Sequence, residues 1–166
     1  MRHLVMSILF LFGIILQSTL FPHLSIAGVK PDLVLVFVVF YAMLQGPKEG
    51  ARAGLVGGLL QDILFGQNLG MNIMAKLTTG YLFGFLERRI YKKNLIIPMI
   101  TVFVATFLNE TILYLFRLAV GTSTGYLISI RSIIVIAAIY NSLLSLFMYR
   151  RFYISAHKGL LRITGR

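Results

Sequence analysis

The sequence predicts an all-α membrane protein with six transmembrane helices, and three observations lead there. Apolar residues fill 58% of the 166 positions while charged residues fill 13%, a balance outside the usual range of soluble domains. Whole blocks such as "LVLVFVVFYAML" and "LIIPMITVFVATFL" carry no charge, where a helix in water would show a polar face. The same blocks lack the strict alternation of a spanning β-strand, which sets aside a β-barrel.

The first span is Leu4 to Leu20. A short basic start before an apolar core also has the outline of a secretory signal. Its core is longer than that of a usual signal, however, and Ser25-Ile26-Ala27 is a poor cleavage site, so a retained span is expected. The second span is Pro31 to Gln45, with Pro31 suited to a helix's first turn. At roughly 1.5 Å per residue it reaches about 22 Å against about 30 Å of hydrocarbon. It is therefore expected to be partly buried by neighbours or to begin upstream, and a five-span chain with this segment re-entrant is the rival arrangement. Spans three (Ala51 to Phe65) and four (Gly70 to Leu86) are joined by Gly-Gln-Asn-Leu-Gly as a helical hairpin. Span five covers Leu95 to Leu118 with Pro98 in its first turn, where a missing N–H costs little. Span six covers Ile130 to Tyr149.

Residues 1–149 thus form the membrane domain and 150–166 a basic cytoplasmic tail. The tail mixes cations with Phe152, Tyr153, Ile154 and Leu160. That pattern suits a surface helix on anionic lipid, a plain topology anchor being the simpler alternative.

Sixteen Lys and Arg stand against five Asp and Glu, but the cations flank apolar blocks and form no nucleic-acid motif, so no nucleic-acid partner is expected. A cytoplasmic N-terminus puts Arg2, Lys48, Arg52, Arg88, Arg89, Lys92, Lys93 and the tail cations inside. Only Lys30, Arg117 and Arg131 then lie outside, and Lys76 lies within a span. This asymmetry orients both termini to the cytoplasm. Cysteine is absent, which excludes disulfides and thiol catalysis. No H-E-x-x-H cluster or protease-like spacing occurs, and neither an enzyme nor a cofactor or metal site is expected.

Gly50, Gly54, Gly58, Asp62 and Gly66 recur every four residues and form one ridge of span three. Asn72, Lys76, Gly80 and Gly84 form the matching ridge of span four. Small-residue ridges let membrane helices approach closely, in a hairpin or between copies of the chain. Within the hairpin Asp62 and Lys76 fall at depths differing by about 3 Å. An isolated charge at mid-helix costs roughly 2.5–3.5 kcal/mol on insertion scales, so these two are expected to pair, directly or through water. Span five adds Thr106, Glu110 and Arg117 on one face with Asn109 alongside. Asp62, Lys76, Glu110, Arg117 and Arg131 all fall in the outer half. They outline an outward-facing polar pocket or a set of interhelical pairs, with Asn141 and Ser145 deeper on span six.

Lys30-Pro31-Asp32-Leu33 at the start of span two, followed by Gly58-Leu59-Leu60-Gln61-Asp62 running on to Gly66 and Leu69-Gly70, resembles the rod shape-determining protein MreD family. The combination is what is distinctive; chain size, span number and basic tail agree, while beyond Gly84 only hydropathy does. The resemblance implies a component of the bacterial inner (cytoplasmic) membrane that serves the cell-elongation machinery, the elongasome, and supports peptidoglycan synthesis. Its implied partners are the bitopic protein MreC and, through it, MreB, RodA and the RodA transpeptidase. It also implies a fold similar to the substrate-binding S-component of energy-coupling-factor transporters. Two functions follow as expectations. One is a non-enzymatic scaffold that receives another protein's transmembrane helix. The alternative is a transporter subunit binding a solute at Asp62, Lys76, Glu110 and Arg117. The vitamin-transport family shows an alanine pair at four-residue spacing on span one, and no alanine occurs between Leu4 and Leu20, which favours the scaffold.

Overall fold

The computed structural model describes residues 2–19, 25, 28–65, 70–88, 96–121 and 127–158, and these form six α-helices with no strand. They are α1 (Arg2–Thr19), α2 (Leu33–Gln45), α3 (Pro47–Phe65), α4 (Met71–Gly84), α5 (Ile96–Ala119) and α6 (Leu127–Lys158), with a 3-10 turn at Phe85–Arg88 after α4. Each coincides with an expected span.

The shortest helix is the centre. Every residue of α2 from Leu33 to Leu44 is buried, as a helix that is apolar all round must be, and α2 touches each of the other five. Neighbours thus cover the 13-residue helix that is too short to cross the hydrocarbon alone. Its start differs from expectation: Pro31 lies before the helix and Asp32 is the N-cap. An Asp side chain facing free N–H groups is a better start than Pro at that position. On the far half of α2, Phe40 meets Tyr149 edge-on at 5.1 Å and Phe152 at 5.5 Å, and Phe37 stacks on Phe152 at 6.0 Å.

Around α2 the others follow in an arc through the contacts α1–α3, α3–α4, α4–α5 and α5–α6. The α3–α4 contact is the tightest, for a reason written in the glycine ridge. A Cβ at Gly54 would strike the Lys76 carbonyl and one at Gly50 the Gly80 carbonyl, while one at Gly58 would lie 2.6 Å from the Asn72 oxygen. Gly84 stands equally close to the Pro47 backbone. Each helical glycine costs about 1 kcal/mol relative to alanine, and here backbone-on-backbone packing offsets that cost. The ridge is therefore occupied within the chain rather than offered to a second copy. Gly66 lies outside the described residues.

Of the six helices, α5 and the Ile133–Phe152 stretch of α6 are long and apolar enough to cross a membrane by themselves; Met6–Thr19 and Leu33–Gln45 are apolar but shorter. Helix α6 continues through position 150 to Lys158, with Phe152 buried in the core, so the expected start of the tail falls inside a helix. Around the apolar core centred on α2 the side chains are in part distributed inside out. Gln17, Gln61, Asp62, Lys76, Asn109 and Asn141 are buried, whereas Ile8, Phe12, Ile63, Leu82, Phe107 and Leu143 are exposed.

Candidate functional site

The buried polar groups converge on Asp32. Its Oδ1 accepts the Leu35 backbone N–H at 3.0 Å, closing the N-terminus of α2, where a negative charge also meets the positive end of the helix dipole. The same oxygen accepts Gln61 Nε2 from α3 at 3.1 Å and Gln17 Nε2 from α1 at 3.5 Å. Its Oδ2 forms an ion pair with Lys76 Nζ of α4 at 2.7 Å. The Asp32 backbone N–H donates to Asn141 Oδ1 of α6 at 2.9 Å, and Asn141 Nδ2 donates to Thr106 of α5 at 3.2 Å. One residue thus bonds to four surrounding helices directly and to the fifth through Asn141. Gln17 Nε2 also donates to the Pro31 carbonyl at 2.8 Å, anchoring the segment that leads into α2.

Lys76 is fully buried, and its expected partner is replaced. The ammonium pairs with Asp32, not Asp62. Asp62 instead closes the N-terminus of α4, accepting the Gly70 N–H at 2.9 Å, the Ile73 N–H at 3.2 Å and Asn72 Nδ2 at 2.8 Å. Gly70 takes a φ of 92° there, a left-handed conformation open to glycine. The two charges remain linked through Asn72, whose Oδ1 accepts from Lys76 Nζ at 3.3 Å while its amide donates to Asp62. The reason lies in the chain ends. Asp62 is near enough to the first turn of α4 to cap it, and a carboxylate bound by backbone N–H groups does not require a cation.

The other expected residues divide. Glu110, half-buried, accepts from Asn109 Nδ2 at 3.4 Å and lies within electrostatic reach of Lys76, Asp32 and Arg117. Arg117 is exposed in the last turn of α5. The Arg131 side chain lies outside the described residues. Ser145 bonds to the Ser142 carbonyl of its own helix at 2.6 Å and takes no part in the hub, whereas Asn141 does. Of the residues expected around an outward pocket, Asp62, Lys76, Thr106 and Asn141 are buried and bonded to one another or to Asp32 and Asn72. Sequence reasoning missed Gln17, and it valued Asp32 and Gln61 as motif residues rather than as Lys76's partner and a donor to that partner. The available signals were two lone amides in apolar runs and an Asp placed directly before an uninterrupted apolar helix.

The rod shape-determining protein MreD family model matches residues 1–155. The chain belongs to the MreD family. The match takes in all of α1 to α5, nearly all of α6 and the whole Asp32 hub. Membership makes this a rod shape-determining protein of a membrane-protein family. Within Lys30-Pro31-Asp32-Leu33, Asp32 supplies the cap of α2 and the counter-ion of Lys76. No curated protein and no solved structure matches the chain.

Proposed function

We propose that the protein is a non-enzymatic scaffold of the rod complex in the bacterial cytoplasmic membrane. All six helices cross the bilayer, both termini are cytoplasmic, residues 1–149 form the membrane domain, and residues 150–166 lead into a basic tail resting on anionic lipid. The observation that carries this reading is the inside-out distribution of side chains. Polar groups from all six helices are joined around Asp32, α5 through Asn141, and large apolar side chains are exposed on the outer faces. A buried polar network linking six helices gives a rigid body, and apolar outer faces suit lateral packing against another protein's helix.

The partner is a single-span MreC-like protein, through which MreB, RodA and the RodA transpeptidase are reached and peptidoglycan synthesis is supported. The test is copurification from a host coexpressing the candidate, with crosslinkers placed along one helix at a time. Capture of the partner's transmembrane segment by one helix face is expected. A saturable thermal stabilisation by a small hydrophilic solute, with no partner captured, would overturn the scaffold in favour of solute binding.

A further inference from the structure

The ends of the arc around α2 are α1 and α6. Between them runs a groove of about 300 Å3 lined by Leu9, Phe37, Phe147, Met148, Arg151 and Phe152. Phe147 is 79% exposed, the most of any large apolar side chain described, and stands at its edge. The lining is bulky. The closest helix contacts in membranes favour small residues that let backbones meet, as where α3 meets α4 here, and among the described residues none lines this groove. A narrow, flexible hydrocarbon chain fits such walls better than a helix does.

Among the described residues the one charged group in the lining is Arg151. It is exposed, and among the described side chains it has no carboxylate partner: Asp32 pairs with Lys76, Glu49 with Arg52, Asp62 caps α4 and Glu110 accepts from Asn109. Arg150, also exposed, precedes it, and α6 carries Lys158 further along. A guanidinium presents a planar fork of donors that matches phosphate oxygens, and cationic side chains beside a bilayer surface attract anionic lipid. Apolar walls ending in an exposed guanidinium have the polarity profile of a phospholipid.

We propose that this groove binds an anionic phospholipid, one acyl chain lying between α1 and α6 against Phe37 and Phe147 and its phosphate on Arg151. The proposal rests on α1 and α6 crossing the bilayer, as in the preceding subsection. The lipid occupies the gap between the two ends of the arc, over the buried Phe37 and Phe152 side chains.

The full-length chain is reconstituted in phosphatidylcholine vesicles containing a minority of phosphatidylglycerol. A photoreactive phenylalanine analogue is placed at Phe147 or, as the control, at Phe107, which is exposed on α5. Lipid adducts at position 147 are expected to be enriched several-fold in phosphatidylglycerol over its bulk fraction, and those at 107 to follow the bulk. Arg151→Gln is expected to return position 147 to the bulk ratio, with helicity unchanged because the side chain is exposed. Arg151→Lys keeps the charge and retains part of the enrichment. Bulk composition at 147, enrichment indifferent to Arg151→Gln, or capture of a second protein chain in place of lipid would overturn the proposal. Absence of lipid adducts at both positions would overturn it too, and would show that membrane placement was the step that failed.

Discussion

Exchanging Asp32 for Asn removes a charge and little else. Asparagine caps a helix about as well as aspartate, so the bond from the Leu35 N–H survives, and the donors from Gln61 and Gln17 still find an oxygen. What is lost is the counter-ion of Lys76, a fully buried ammonium 2.7 Å away. Removing one partner of a buried ion pair costs about 3–5 kcal/mol. Glu110 lies within reach of the same ammonium and supplies part of the missing field, which places the expected loss at the lower end, about 3 kcal/mol. Lys76→Met is milder, because the Asp32 carboxylate keeps its bonds from Leu35 and Gln61. The double variant removes both charges and is expected within about 1 kcal/mol of the parent, since apolar replacements of buried pairs are commonly near neutral. The resulting coupling is at least about 2 kcal/mol. Reversible unfolding in bicelles, followed by steric trapping or by helicity, measures all four corners of this cycle. Additive losses at positions 32 and 76, or a coupling of Lys76→Met with Asp62→Asn larger than that with Asp32→Asn, would refute the reasoning.

Other consequences follow from the same contacts. Gly54→Ala drives a methyl group into the Lys76 backbone, whereas at Gly13 the nearest atom is a Phe37 ring carbon at 3.4 Å. Thermal melts are expected to show a loss of about 1–3 kcal/mol for the first and little change for Gly13→Ala. Asp62→Ala strips the cap from α4 and leaves the Gly70 and Ile73 N–H groups without their partner, a loss of about 1–2 kcal/mol that Lys76→Met does not relieve in the same unfolding assay. Asn141→Leu leaves the Asp32 N–H unmatched and frees α6 from the hub. A loss of about 1–3 kcal/mol is expected, with faster amide exchange in α2 near Leu33 by mass spectrometry.

Helix number and placement were legible because hydropathy and glycine spacing act locally. The uncharged run of α2, the four-residue ridge of α3 and the Pro98 start of α5 each state their structure within a few residues. Pairing was less legible, because it depends on which helices touch. The hairpin reading put Asp62 opposite Lys76 by counting from the turn, and depth alone does not distinguish a carboxylate that caps α4 from one that faces an ammonium. Asp32 comes to Lys76 from the preceding chain segment, across a helix packing that no spacing within α3 and α4 encodes. The bond between Asn141 and Thr106 was hidden for a related reason. Whether Asn141 and Thr106 line a cavity or bond to each other depends on how closely α5 and α6 approach, and that distance is absent from the pattern of either helix.

The absence of cysteine from the chain makes single-cysteine labelling clean, and the inside-out arrangement yields to it directly. Spin labels placed one at a time at Ile63, Leu82, Phe107 and Leu143 of the vesicle-reconstituted protein report collisions with lipid-soluble oxygen and with a water-soluble nickel chelate. High oxygen and low chelate accessibility at all four positions is the predicted result. Chelate accessibility exceeding that of oxygen along any of these faces would contradict a bundle that keeps its polar groups within and meets lipid with the rest.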